Sequence, residues 1–128
     1  MNLGDTFLMQ VPPSFDCHHL WIVISDPGQN RGAFIIVNAT TNEFRAGREC
    51  VLLPEDHEWI KTKCFISFGD ALEITPATER NITALIGKSI HPQKPLADAV
   101  LLRIVEAANK SKALPVIFKK YLAPATQI

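Results

Sequence analysis

The first part of the chain alternates short apolar runs with turn-forming residues. Each run is rich in β-branched or aromatic residues and too short for a helix, so each predicts a strand. Turn chemistry over residues 26–32 joins the second and third runs as a hairpin. Pro12 and Pro13 end the first run, since proline cannot donate to a ladder, and Gly69 and Asp70 predict a turn. The predicted strands are residues 6–11, 20–24, 33–37, 50–53, 64–68 and 71–74.

Helical periodicity replaces the strand pattern after Thr75. Thr75 is a capping residue and Pro76 suits the first helical position, so we predict a helix from there to about Ile86, ended by Gly87. A second helix is predicted over residues 96–108, with one apolar face made by Leu101, Ile104, Val105 and Ala108. A third begins at Pro115 and is predicted to place Ile117, Phe118, Tyr121 and Leu122 inward and Lys119 and Lys120 outward. The pattern indicates a mainly β fold with C-terminal helices: a small barrel or strongly bent sheet, then about three α-helices.

Composition narrows the class of protein. The chain has 128 residues, 13 Lys and Arg against 13 Asp and Glu, which suits one domain without a strong positive field for duplex DNA. No apolar run approaches the ~20 residues of a membrane-spanning helix, so no membrane is expected as a partner. Residues 1–70 carry a net charge of −4 and residues 71–128 a net charge of +4. The basic part is either a set of solvated helix faces or a nucleic-acid contact.

The beginning of the chain and its cysteines predict a cytoplasmic protein. Residues 1–10 contain Asp5 in place of a basic segment, so no signal peptide is expected. Three cysteines are an odd number and favour buried free thiols over disulfides. They lack the paired spacing of structural zinc ligands, so no metal or other cofactor is expected. A metal-dependent hydrolase with the ligands Cys17, His19 and His57 is the alternative.

Candidate chemistry gathers at the ends of two predicted strands. His18 and His19 precede the strand over residues 20–24, and Thr40 and Thr41 follow the next one. Because the two strands form an antiparallel hairpin, these ends are neighbours at one rim of the barrel. Imidazole is the commonest general acid or base near neutral pH. The ordinary interpretation stays open as well, in which His19 packs at a strand start and the threonines cap a turn.

Three short segments share a pattern with a known family. They are Gly-Asp-Thr-Phe at residues 4–7, His-His-Leu-Trp-Ile-Val-Ile-Ser at 18–25 and Ile-Ile-Val-Asn-Ala-Thr-Thr at 35–41. The series resembles the opening of the PemK/MazF/Kid toxins of type II toxin–antitoxin systems, over roughly residues 4–74. In that alignment His19 stands where the family has its catalytic arginine and Leu20 where it has proline, while Thr40 or Thr41 matches its catalytic hydroxyl.

The resemblance implies both a fold and an activity. It implies a small SH3-like β-barrel over residues 1–75, with residues 76–128 as a helical extension that packs on the barrel or on a dimer partner. It also implies a metal-independent endoribonuclease that cleaves single-stranded RNA through 2′-hydroxyl attack. Such enzymes are usually homodimers and are neutralised by an antitoxin protein, so RNA, an antitoxin and a second copy are the expected partners.

Seven side chains are candidates for this chemistry. His19 is predicted to act as base or acid with His57 as its complement, and Thr40 or Thr41 to donate to the phosphate. The predicted substrate-binding residues are His18, Arg31 as a phosphoryl clamp, and Trp59 as a platform for a base. Trp21 is the other aromatic residue considered for the platform, and it is assigned to the core. The alternative function is a non-catalytic SH3-like module that binds a protein or nucleic acid.

Overall fold

Strands and helices cover most of the described chain. The computed structural model of the protein describes residues 1–11 and 14–122, with the backbone alone at residues 11 and 14–17. The predicted stop at Pro12 and Pro13 therefore lies outside the described residues, as does the side chain of Cys17. The strands are β1 Thr6–Val11, β2 Ser14–Val23, β3 Phe34–Thr40, β4 Val51–Leu52, β5 Cys64–Ile74 and β6 His91–Gln93. The α-helices are α1 Glu43–Ala46, α2 Pro76–Ala84 and α3 Asp98–Lys110, and the 3-10 turns are Pro27–Gln29, Pro54–Asp56 and Val116–Tyr121.

The six strands form one antiparallel sheet that curls into a half-barrel. Their order is β4-β5-β3-β2-β1-β6. The predicted hairpin is confirmed, because Leu20 of β2 pairs with Ala39 of β3 and Val23 pairs with Ile36. The curl brings segments from the two edges of the sheet together: the imidazole of His57, after β4, lies 2.6 Å from the carbonyl oxygen of Lys94, after β6. The bent sheet expected from the apolar pattern is therefore present.

The predicted turn at Gly69 and Asp70 is wrong. Both residues lie inside β5, which runs without a break across the two segments that were predicted as separate strands. Ile36 pairs with Leu72 whereas Asn38 pairs with Ser67, so β5 carries extra residues opposite β3 at this point. Turn-forming residues here make a bulge instead of a reversal of the chain, because a bulge also needs residues that leave the ladder.

Strand β6 was not expected from the sequence. It contains Pro92, a residue type that cannot donate to a ladder and disfavours a strand. Pro92 pairs with Phe7 of β1 at the outer edge of the sheet, where a missing N–H costs the ladder nothing. The sheet therefore extends beyond residue 75 and takes its edge from the segment between α2 and α3.

Two layers of helix cover the two faces of the sheet. Leu20 and Ile22 on one face belong to the same buried cluster as Ile104 and Val105 of α3. Trp21 on the other face shares a second cluster with Ile82 of α2, Phe7, Val23, Phe34, Ile36, Ile74 and Ile90. The alternation along β2 sends neighbouring side chains to opposite faces, which explains why a continuous apolar run forms this strand. Helix α3 thus packs on the sheet of its own chain.

The first two predicted helices are present as α2 and α3, whereas the prediction of a third α-helix is wrong. Thr75 caps α2, since its hydroxyl accepts the backbone N–H of Thr78. The prediction that Ile117 faces inward is wrong, because its side chain is 70% exposed. The segment is a 3-10 turn, whose tighter winding changes which side chains share a face. No helix in the described residues is long and apolar enough to cross a membrane.

Candidate functional site at the rim of the half-barrel

A pocket of about 440 Å³ opens at one end of the half-barrel. We call it the rim pocket. Strand β2, the end of β3 and the loop between β4 and β5 build its walls. Its lining residues are His18, His19, Ala39, Thr40, Thr41, Trp59, Lys61, Thr62 and Cys64.

Strand pairing explains why these residues meet. Leu20 and Ala39 are opposite each other in the β2–β3 ladder, so the residues just before Leu20 lie beside those just after Ala39. Thr40 in turn pairs with Phe65 of β5, which brings the loop before β5 to the same end. The predicted meeting of His19 with Thr40 and Thr41 is present, and the catalytic roles of these residues stay predictions.

The two hydroxyls differ in their exposure. Thr40 is 8% exposed, and its Oγ1 accepts the backbone N–H of Asn42 at 3.1 Å, which stabilises the turn into α1. Thr41 is exposed. A ligand in the pocket therefore reaches the Thr41 hydroxyl more easily than that of Thr40.

His19 lies at the edge of a charged network. It is half-buried. The carboxylate of Asp70 accepts two hydrogen bonds from the Arg45 guanidinium, at 2.8 and 3.0 Å, and one from the Ser67 hydroxyl at 2.6 Å. These bonds, led by that of Arg45, hold the pKa of Asp70 below its ordinary value, and the nearby His19 acts in the same direction. Asp70 therefore places a carboxylate that stays ionised near His19.

His18 contacts a histidine that the sequence did not single out. Its ring centroid lies 5.7 Å from that of His91 in β6, with the two planes tilted by 58°. His18 is also half-buried. His91 therefore supports His18 from β6 without lining the rim pocket itself.

No acidic residue is found among the described residues that line the rim pocket. Among the described residues that form it, Lys61 is cationic and two are histidines. The Lys61 ammonium donates to the carbonyl of Glu58 at 2.7 Å, which holds its side chain against the loop. Lys63 lies two residues on, with its Nζ 5.7 Å from the centroid of the Phe65 ring. Such a lining suits an anionic ligand better than a cation.

His57 lies outside the rim pocket. Its ring is 6% exposed and lies between β1 and the segment after β6. Nε2 is 2.6 Å from the carbonyl oxygen of Lys94 and 3.3 Å from the hydroxyl of Thr6, and Nδ1 accepts the backbone N–H of Trp59 at 3.0 Å. The structure therefore does not bring His57 together with His19, Thr40 and Thr41.

The remaining residues predicted to bind substrate lie in three different places: the pocket, the core and a turn. Trp59 is half-buried and lines the pocket, whereas Trp21 is 1% exposed and belongs to the core. Arg31 is exposed in the β2–β3 turn, at the opposite end of the hairpin from His19. It adopts a φ of 56°, which is unusual for a residue other than glycine. It cannot clamp a phosphate bound in the rim pocket.

The thiols of Cys50 and Cys64 are poor nucleophiles. Burial raises the pKa of the Cys64 thiol, and burial raises that of Cys50 to about 11, so both are protonated near neutral pH. In the part of the chain that is described with side chains, no group of three or more His, Cys, Asp and Glu residues could hold a metal ion.

Lys61, Thr62 and Cys64 were missed as site residues. No motif marks them, because they reach the rim through the β3–β5 pairing. Their position in the chain could have identified them. Strand β5 runs antiparallel to β3, so the residues just before β5 lie near the end of β3. No family model matches the chain, and no curated protein matches it.

Proposed function

We propose that the protein is an endoribonuclease that cleaves single-stranded RNA without a metal ion. The observation that carries the proposal is the presence of His19, Thr40, Thr41 and Lys61 in the lining of one open pocket. Imidazole, hydroxyl and ammonium groups supply the proton transfer and charge stabilisation that RNA cleavage needs. The curled sheet is compatible with an SH3-like barrel, and we propose a divergent relationship to the PemK/MazF toxins.

The chemistry uses the RNA as its own nucleophile. A base removes the proton of the 2′-hydroxyl, and the 2′-oxygen forms a bond to the adjacent phosphorus. The bond from phosphorus to the 5′-oxygen breaks, and an acid protonates that leaving oxygen. The products are a 2′,3′-cyclic phosphate and a 5′-hydroxyl, so no external reactant is consumed.

Side chains of the rim pocket match these roles. His18 and His19 both line the pocket, and neighbouring side chains of β2 alternate between its faces, so we assign His19 as the base or the acid and His18, which contacts His91, to substrate binding. Lys61 and the Thr41 hydroxyl stabilise the negative charge on the phosphoryl oxygens. Trp59 offers an aromatic face for a base, which binds single strands with little sequence preference.

The partners follow from the same proposal. Single-stranded RNA is the substrate, and an antitoxin protein and a second copy of the chain are proposed partners because PemK/MazF toxins have them. A cytoplasmic location is proposed on the same basis.

Cleavage of single-stranded RNA in the presence of EDTA tests the function. Wild-type protein should leave cyclic phosphate ends, and His19→Ala should lower the rate by about 10²–10⁴-fold, the usual contribution of a general acid or base. Arg31→Asn is the matched control, since Arg31 lies at the other end of the hairpin and asparagine tolerates its φ. Intact RNA after incubation with folded wild-type protein would refute the proposal.

A non-catalytic interaction module is the second candidate. The observation that favours it is the exposure of large apolar side chains, at Phe44 on α1 and at Val116 and Ile117 in the last 3-10 turn. Such a module would bind RNA or a protein and leave RNA intact. The cleavage assay together with an RNA-binding measurement separates the two candidates.

A further inference from the structure

His57 connects the pocket loop to two other parts of the sheet. Its backbone carbonyl accepts the N–H of Ile60 at 3.0 Å, and its Nδ1 accepts the N–H of Trp59 at 3.0 Å. One residue thus fixes two successive backbone groups of the loop that lines the rim pocket.

The hydrogen bonds define the proton position on the ring. Because Nδ1 accepts from Trp59, the proton of the neutral imidazole is on Nε2. Nε2–H then donates to the carbonyl of Lys94 at 2.6 Å. The Thr6 hydroxyl donates to the same carbonyl at 2.8 Å and accepts from the ring at 3.3 Å. Both ring nitrogens are therefore occupied in a buried position, and neither is available to move a proton on a substrate.

A second anchor holds the other side of the loop. The carboxylate of Asp56 accepts two hydrogen bonds from Arg103 of α3, at 3.1 and 2.9 Å, and one from the backbone N–H of Leu53 at 2.8 Å. Loss of the His57 bonds therefore frees the Trp59 side of the loop while the start of the loop remains attached to α3.

We propose that His57 is a positioning residue that holds Trp59 in the wall of the rim pocket and so sets the affinity for a base of the RNA. The activity part of this inference rests on the proposed function. The placement of Trp59 does not, and it has its own measurements.

Two substitutions of His57 separate the hydrogen bond at Nδ1 from the hydrogen bond at Nε2. An asparagine amide reaches the position of Nδ1, so His57→Asn keeps an acceptor for the Trp59 N–H. A glutamine amide reaches the position of Nε2, so His57→Gln keeps the bond to Lys94 and loses that acceptor. Thr6→Val is the control, since it removes a hydroxyl from the same buried cluster without touching Trp59.

Trp59 fluorescence is the first readout, taken as the difference between each protein and its Trp59→Phe counterpart so that Trp21 cancels. We expect His57→Gln to shift the emission of Trp59 to the red, and His57→Asn and Thr6→Val to retain the wild-type emission. Amide hydrogen exchange on wild-type protein gives a readout that needs no variant. The Trp59 N–H should be protected, and free exchange of this amide would overturn the inference.

RNA kinetics are the second readout. We expect His57→Gln to raise KM about tenfold with kcat within about threefold of wild type, because a misplaced indole weakens base stacking. An unchanged KM together with unchanged Trp59 emission would overturn the inference. So would a fall in kcat of two orders of magnitude at unchanged KM, since that result makes His57 catalytic. If wild-type protein cleaves no RNA, the proposed function fails, and fluorescence and exchange still decide the placement of Trp59.

Discussion

His19 of β2 and Thr40 of β3 line one pocket because they lie one residue beyond the Leu20–Ala39 pair of an antiparallel ladder. No sequence motif contains both His19 and Thr40. The pairing register alone makes them neighbours, and a shift of one residue would send one of the two side chains to the other face.

The two threonines should respond differently to loss of the hydroxyl. We expect Thr41→Val to lower kcat about 10- to 100-fold with an unchanged melting temperature, because Thr41 is exposed and a hydrogen bond to a charged group has about this value. Thr40→Val should lower the free energy of unfolding by about 1 kcal/mol, since the Asn42 N–H loses its acceptor. Thermal unfolding and steady-state kinetics check both. Wild-type kcat for Thr41→Val would exclude Thr41 as the phosphate donor.

Lys61 should contribute to the salt dependence of RNA binding. Lys61→Gln removes the cation of the rim pocket, so the slope of log K against log salt should fall by about 0.7, the value for one contact to a single strand. Lys120→Gln is the control. It lies in the 3-10 turn whose Tyr121 carbonyl accepts from Asn30, at the β2–β3 turn and far from the pocket. Titrations of a fluorescent oligonucleotide at several salt concentrations give the slopes, and equal slopes for both variants would contradict the assignment.

Acid should weaken the fold through Asp56. Hydrogen bonds from Arg103 hold the pKa of Asp56 below its ordinary value near 3.8. A carboxyl whose pKa is lower in the folded state stabilises the fold above the ordinary value, and this contribution is lost as pH falls through the lowered one. Asp56→Asn should therefore lower the free energy of unfolding by roughly 1–2 kcal/mol at pH 7, with the difference from wild type shrinking below about pH 4.

Denaturant unfolding across this pH range measures the effect. Glu106→Gln is the control, because Glu106 is an exposed residue of the same helix as Arg103. A constant difference between wild type and Asp56→Asn from pH 7 to pH 2 would contradict the role of the ionised pair.

The packing of α3 on its own sheet should carry much of the stability. Ile104 is fully buried against the face that carries Leu20 and Ile22. Ile104→Ala should lower the free energy of unfolding by about 2–5 kcal/mol, the usual cost of such a truncation in a core. The measured value should not depend on protein concentration, because the contact lies within one chain. A difference in stability between wild type and Ile104→Ala that changes with protein concentration would indicate that α3 packs on a partner.

The local sequence pattern was enough to predict the β2–β3 hairpin and the two longer helices, α2 and α3. The runs at 20–24 and 33–37 are too short and too β-branched for helices, and Thr75 with Pro76 is a strong helix start. These features depend on neighbours in sequence. The placement of His19 near Thr40 followed from the hairpin alone, which is why it could be predicted.

Long-range pairing explains what could not be predicted. Gly69 and Asp70 have turn chemistry, and whether they form a turn or a bulge depends on the register of β5 against β3. His57 is a polar residue in a loop, and its burial depends on Thr6 and Lys94, which are distant in sequence. Residue type suggested catalysis at His57, whereas its surroundings make it a structural bridge.

Pro92 decides how the outer edge of the sheet meets other molecules. It lies at the centre of the three-residue strand β6, and an edge proline directs its nitrogen to the solvent side. A strand from another molecule that approached this edge would meet no donor at that position. The proline thus protects the half-barrel from strand addition and aggregation along β6, and two copies that associate must do so through another surface.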